Sequence, residues 1–126
     1  MTRIWSSMSD IYIDADGCPV IEETLQAGED FGFPVIPVCD TSHVFPYEHV
    51  VILMADKGRD STDFLLLSHV KKGDIVVTQD YGLAALVLSK EGYPISCNGV
   101  PFTTENINRL LTMRHVGSVE RKHGNY

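Results

Sequence analysis

Two short runs in this chain carry apolar residues without the alternation of a half-wet strand. One is Val50-Val51-Ile52-Leu53-Met54, inside a predicted strand from His49 to Met54; the other is Ile75-Val76-Val77, inside a predicted strand from Asp74 to Thr78. A strand with one face in water alternates apolar and polar residues, whereas an unbroken run of this length is covered on both faces. Such strands belong to parallel sheets sandwiched between helices.

The rest of the chain supplies the helices and further strands that this requires. Ile11 to Asp14 reads as a first strand, followed by Ala15-Asp16-Gly17 and a Pro at 19 that suits a first helical turn. Val20, Ile21, Thr24, Leu25 and Phe31 fall on one helical face, and Gly32 stops that helix. Phe33 to Val38 reads as a strand in which Pro34 and Pro37 favour an edge position. Residues 40–47 read as a loop. Asp60 is an N-cap candidate for a helix to Lys72, with Asp63 three residues on. Tyr81 to Lys90 is the next helix and Tyr93 to Cys97 the last short strand. A final helix, capped at Thr103 or Thr104, runs to about Arg114, with Ile107, Leu110, Leu111 and Met113 inward and residues 120–126 fraying. Five strands and four helices in alternation predict right-handed crossovers and a three-layer α/β domain.

At 126 residues the chain is the size of one domain, here placed at residues 10–124, with 1–9 expected to be a poorly ordered extension. Met1 to Ser9 lacks the apolar core of a secretory signal, and Met8 is an alternative start. No apolar run approaches the roughly 20 residues that span a bilayer, so no membrane partner is expected. Three cysteines without a CxxC pair argue against a disulfide framework and for a reducing, cytoplasmic setting. Cys18 stands at a helix start, where packing and a reactive thiolate are both open readings. The net charge of −7 counts against tight, non-specific capture of a nucleic-acid backbone. No feature fixes an oligomeric state.

The positions of the aspartates carry the chemistry. Asp14 and Asp16 end the first strand, Asp80 follows the fourth, and Asp60 and Asp63 open the helix after the third. In a parallel sheet these positions share the carboxyl edge, where open α/β folds bind ligands. Carboxylates gathered there repel unless a cation lies between them. Oxygen ligands alone suit Mg²⁺ or Mn²⁺ rather than Zn²⁺. An ion held by Asp14, Asp16, Asp63 and Asp80 would polarise a phosphodiester and activate water. Asp60, Ser61, Thr62, Thr78, Arg114 and His115 are candidates for contacting the substrate, with helix N-termini as phosphate donors. The structural alternatives are plain: Asp60 and Asp80 as caps, Asp63 as a partner of the helix dipole, Arg114 and His115 as cations at a helix C-terminus.

Three segments together carry a family resemblance: Tyr12-Ile13-Asp14-Ala15-Asp16-Gly17-Cys18-Pro19, Asp60-Ser61-Thr62-Asp63, and Gly73-Asp74-Ile75-Val76-Val77-Thr78-Gln79-Asp80-Tyr81-Gly82-Leu83-Ala84. With Asn106-Ile107 and Met113-Arg114-His115 they resemble the YaiI/YqxD family of small bacterial proteins, which looks like a branch of the PIN-like superfamily. The resemblance implies a parallel sheet in the order 3-2-1-4-5 and an acidic metal site of the nuclease type, built from Asp14, Asp16, Asp63 and Asp80 with Asp60 beside them. The family has no firmly assigned activity. The chain departs from it after the last strand: Cys97-Asn98-Gly99-Val100-Pro101 replaces an Asn-Pro-Arg-Gly-like turn, and the basic tail shrinks to Arg121, Lys122 and Gly124.

Three functions compete. The first is a metal-dependent nuclease acting on RNA or another phosphodiester. The second is a non-catalytic RNA- or protein-binding module with a vestigial acidic site. The third is a haloacid-dehalogenase-like phosphatase with Asp14 as nucleophile. That third enzyme type needs a Gly-Asp after a later strand, whereas Gly73-Asp74 precedes one.

Overall fold

A computed structural model describes residues 9–40, 51–55 and 59–122, and within these the side chains of 59, 60 and 114–122 are left aside. The elements follow in the order β1 (Ile11–Asp14), α1 (Ile21–Phe31), β2 (Val35–Asp40), β3 (Leu53–Ala55), α2 (Arg59–His69), β4 (Ile75–Val77), α3 (Tyr81–Ser89), β5 (Tyr93–Ile95) and α4 (Thr104–Lys122). The described strands form one sheet in the order β3-β2-β1-β4-β5. All four neighbouring pairs are parallel. This is the order that the resemblance implied.

Handedness decides where each helix lies. The chain steps from β1 to β2 in one direction, then reverses to reach β4 and β5. α1 therefore covers one face, where Ile11, Ile13 and Val77 pack with Val20, Ile21, Val35 and Ile95. α2 and α3 cover the other, where Tyr12, Val38 and Val76 meet Leu66, Val70, Leu83 and Val87. Along β1 the faces alternate residue by residue, and Ile11, Tyr12 and Ile13 are all buried. α4 lies outside α3 and joins Ile107, Leu110 and Leu111 to Phe102, Ala84 and Leu88. Its start is closed reciprocally: the Asn106 amide N–H donates to Thr103 Oγ1 at 3.2 Å and the Thr103 N–H donates to Asn106 Oδ1 at 2.8 Å. At the end of α1, Gly32 takes a left-handed conformation (φ 78°).

Several sequence expectations need correction. β2 lies inside the sheet, between β1 and β3, not at an edge. Pro34 precedes the strand and contributes its carbonyl to the Ile11 N–H, and Pro37 stands within the ladder opposite Ile13. Phe31 and Met113 are exposed and are not inward residues. α2 begins at Arg59, so Asp60 sits within its first turn, and the helix ends at His69, not Lys72. α4 continues to Lys122, well beyond Arg114, into the tail expected to fray. β3 is Leu53–Ala55, C-terminal to much of the expected His49 to Met54 strand, and it is not covered on both faces: it lies at the sheet edge with Val51 and Met54 exposed. Residues 49 and 50, most of the expected 40–47 loop and residues 1–8 lie outside the described residues. Ser9, assigned to the extension, donates from its hydroxyl to the Gly73 carbonyl.

The cysteines bring a further correction. Cys18 and Cys97 are joined as a disulfide across a sequence separation of 79, with their Cα atoms 6.1 Å apart. The sheet order explains why spacing concealed this. β1 and β5 are far apart in sequence but separated in space only by β4. Cys39 is the free, buried thiol. Among the described residues, no helix is long and apolar enough to cross a membrane.

Candidate functional site

The carboxyl edge of the sheet is built from the ends of β1, β2 and β4 and the starts of α2 and α3. The reversal in strand order falls between β1 and β4, and a cleft opens beyond the strand ends at such a point. Asp14 and Thr78 follow the paired residues Ile13 and Val77 and so stand side by side at this edge. The Thr78 hydroxyl is fully buried and donates to Asp14 Oδ2 at 2.8 Å. Thr78 Oγ1 in turn accepts the Asp80 N–H at 3.0 Å. Thr78 therefore fixes both the Asp14 carboxylate and the backbone at Asp80.

Asp80 caps α3. Its Oδ1 accepts the Leu83 N–H at 3.1 Å, the geometry expected from its position before an apolar helix. Asp16 lies on the turn after β1, and its Oδ2 accepts the Asp40 N–H at 3.2 Å, which pins the turn to the end of β2. Asp63 is half-buried in the first turns of α2. The side chains of Asp60, Arg114 and His115 lie outside the described residues. Ser61 lines a shallow apolar surface with Met54 and Phe64 near the β3 edge. Neither Asp14, Thr78 nor Asp80 lines that surface.

Thr62 is the residue whose surroundings are unusual. It is 4% exposed, and its hydroxyl oxygen has no hydrogen-bond partner. A buried hydroxyl without a partner costs about 1–3 kcal/mol, and such groups mark places where water, an ion or a ligand completes the shell. Thr62 was legible in the sequence as a member of the acidic helix start, but its burial was not.

Charge at this edge reaches the neighbouring thiol. Burial, reinforced by the carboxylates of Asp16 and Asp40, pushes Cys39 up from 9.0 to about 11. Cys39 was not singled out from sequence as part of the site; its place one residue before Asp40 was the available signal.

The residues come together in part. Asp14 and Asp80 are linked through Thr78, while Asp16 is turned toward β2. Among the described residues, no group of three or more His, Cys, Asp or Glu side chains is placed to hold one metal ion. The donor set is nevertheless that of a hard cation. Mg²⁺ keeps several waters and commonly uses only one or two protein carboxylates together with substrate phosphate. Asp14 and Asp80, at the ends of the neighbouring strands β1 and β4, are the candidates for such a sparse site. They do not form a closed protein cage.

Beyond β5, the turn from Ser96 to Val100 is tied down from several sides. The Ser96 Oγ accepts the Asn98 and Val100 N–H groups at 3.3 and 3.1 Å, and Gly99 adopts φ 83°, which a side chain would strain. The Cys97 N–H donates to Gln79 Oε1 at 3.1 Å, and its sulfur is bonded to Cys18. The turn that lacks the expected arginine thus carries a covalent link to the loop of Asp14 and Asp16.

Comparison with known proteins gives the family. A family model described as "Uncharacterized BCR, YaiI/YqxD family" matches residues 12–126. A UPF0178 protein of Exiguobacterium sibiricum is 47% identical over 114 residues, covering 90% of this chain and 78% of the relative. UPF0178 proteins of Alkaliphilus oremlandii and Natranaerobius thermophilus are 43% and 42% identical, covering 92% and 89% of this chain and 76% of each relative. No solved structure matches.

Proposed function

The chain belongs to the uncharacterised YaiI/YqxD family, and from its carboxyl edge we propose a divalent-metal-dependent phosphodiesterase, a nuclease acting on RNA or a related phosphodiester. The observation that carries this reading is the Asp14–Thr78–Asp80 linkage across the strand-order reversal. It holds the Asp14 carboxylate and the backbone at Asp80 at the edge where α/β sheets bind ligands, and the orphaned Thr62 hydroxyl lies on the helix that starts at the same edge.

Asp14 and Asp80 would hold Mg²⁺ or Mn²⁺, which when bound supplies electrophilic activation of phosphorus and of water. Thr78 holds the Asp14 carboxylate in place. Asp16 keeps the β1 turn against β2. The N-terminal amides of α2 and α3 provide donors for non-bridging phosphate oxygens. The acidic balance of the chain directs the reading toward a small or short phosphodiester, because long duplexes demand a basic track.

Two observations bear on the alternatives. Asp74, the Gly-Asp carboxylate that a haloacid-dehalogenase-like phosphatase would require at the site, is 1% exposed and lies at the opposite, amino edge. The sparse carboxylate grouping leaves the non-catalytic binding module as the competing reading.

The test is metal binding before turnover. Mn²⁺ titrated into the protein at millimolar levels raises the melting temperature by a few degrees, and Asp14→Asn abolishes the rise while leaving the metal-free melting temperature within a few degrees of the parent. A parent protein indifferent to both Mn²⁺ and Mg²⁺ overturns the metal reading. Metal binding with no cleavage of single-stranded RNA, single-stranded DNA or a chromogenic phosphodiester selects the non-catalytic module.

A further inference from the structure

We propose that Cys18 and Cys97 form a reversible thiol–disulfide switch that clamps the loop of Asp16 to the turn after β5 and sets the order of the acidic edge. As regulation of that edge, the proposal rests on the functional reading above; as a property of the two loops, it stands on the geometry alone.

Three observations support a switch over a structural staple. First, the bond joins irregular segments. Cys18 precedes α1 and Cys97 follows β5, so neither belongs to a helix or strand. The apolar cluster under α2 and α3 contains neither cysteine, while on the α1 face Cys18 and Cys97 pack with Ile11, Ile13 and Val77. Second, the two residues differ in exposure. Cys18 is 4% exposed, whereas Cys97 is only half-buried on a solvent-facing turn. An external thiol therefore reaches Cys97 first. Third, the bond bridges two walls of an apolar groove. One wall is α1, with Val20, Thr24 and Ala27, and the other is the turn from Ile95 to Gly99. Breaking the bond leaves Cys97 attached by its N–H to Gln79, which precedes Asp80, and removes the covalent tie on the Cys18 loop, whose Asp16 carboxylate still accepts the Asp40 N–H.

The chemistry balances with a thiol of low molecular weight, or a dithiol protein, as reductant. Its thiolate attacks Cys97 Sγ, the Cys18–Cys97 bond breaks, and Cys18 leaves as a thiolate that takes a proton. A second reductant thiolate attacks the mixed disulfide at the reductant sulfur and releases Cys97, which is protonated in turn. The pair gains two electrons and two protons, and the reductant becomes its disulfide. Cys39 stays out of the exchange, buried and held protonated by burial and its acidic neighbours.

The test uses the full chain, exposed to oxidised glutathione or to reduced dithiothreitol, then denatured and alkylated. Mass spectrometry finds one labelled cysteine in the oxidised form and three in the reduced form. Hydrogen exchange on the native forms then shows residues 15–20 and 95–101 exchanging about tenfold faster after reduction, with β1 and β4 unchanged. Cys97→Ser reproduces the reduced pattern and ignores the oxidant. Three labelled cysteines after oxidant treatment, or identical exchange in both forms, overturns the switch. For the site, Mn²⁺ affinity differing at least fivefold between forms supports regulation, and equal affinities overturn it. If neither form binds Mn²⁺, the metal reading fails, while the exchange comparison still decides the switch.

Discussion

The two edges of the sheet place the same residue type in opposite circumstances. At the amino edge, Asp74 is buried and each of its oxygens is met: Oδ1 by the Asp10 N–H at 3.0 Å, and Oδ2 by the Lys71 N–H at 2.7 Å and Lys71 Nζ at 3.3 Å. Lys71 also reaches Asp10 at 3.3 Å. Burial acts to lower the Lys71 pKa, but its hydrogen bonds to Asp10 and Asp74 outweigh that and hold it above the usual lysine value. At the carboxyl edge, the Asp14 carboxylate takes a neutral hydroxyl, Asp80 caps a helix, Asp16 is exposed, and a buried threonine oxygen lacks a partner. An acidic edge that is fully wired serves stability. The carboxyl edge differs in its buried, unpartnered Thr62 hydroxyl, the kind of group that a ligand or water completes.

That contrast breaks or sharpens by substitution. The largest effect is expected at the amino edge. Asp74→Ala removes charge-assisted bonds to two backbone amides and strands those donors, at a cost of about 3 kcal/mol in urea unfolding. A loss under about 1 kcal/mol would mean that the amino edge is no better wired than the other. Asp80→Ala, at the carboxyl edge, is expected to cost about 1 kcal/mol, the value of a lost N-cap; a loss equal to that of Asp74→Ala would erase the distinction. The smallest effect carries the opposite sign. Thr62→Val replaces an unpartnered hydroxyl by a methyl of similar shape and stabilises the metal-free protein by about 0.5–1 kcal/mol. Destabilisation would show that Thr62 already has a partner in solution.

The sequence was most informative where local pattern and burial coincide. The unbroken Ile75-Val76-Val77 run marked a strand covered on both faces, and Asp80 before Leu83 and Ala84 marked a cap. Its failures have physical causes. Pro37 looked like an edge residue because proline removes a donor, yet it pairs with Ile13 of β1 and stands just before the pairing with β3 begins at Val38. Phe31 and Met113 matched an apolar face by spacing, but α1 and α4 each end or extend past the surface they cover. The YaiI/YqxD resemblance supplied the strand order, which periodicity alone does not. For the site, the positions of Asp14, Asp16, Asp63 and Asp80 along the edge were legible. The direction of each carboxylate was not, because that depends on partners such as Thr78 and the Asp40 amide, which only the assembled sheet brings near. The Cys18–Cys97 pairing escaped for the same reason.

That pairing also alters what the chain is as a covalent object. With the sulfurs joined, everything from the entrance of α1 to the end of β5 lies on a closed ring, and only the segments outside 18–97 are free arms. A single peptide-bond cut anywhere on the ring leaves one molecule, its two pieces still tethered and the sheet's central strands still held in proximity. The oxidised protein can thus survive a nick that would divide the reduced one, so the oxidation state of two sulfurs decides whether an internal cleavage ends the molecule or merely opens it.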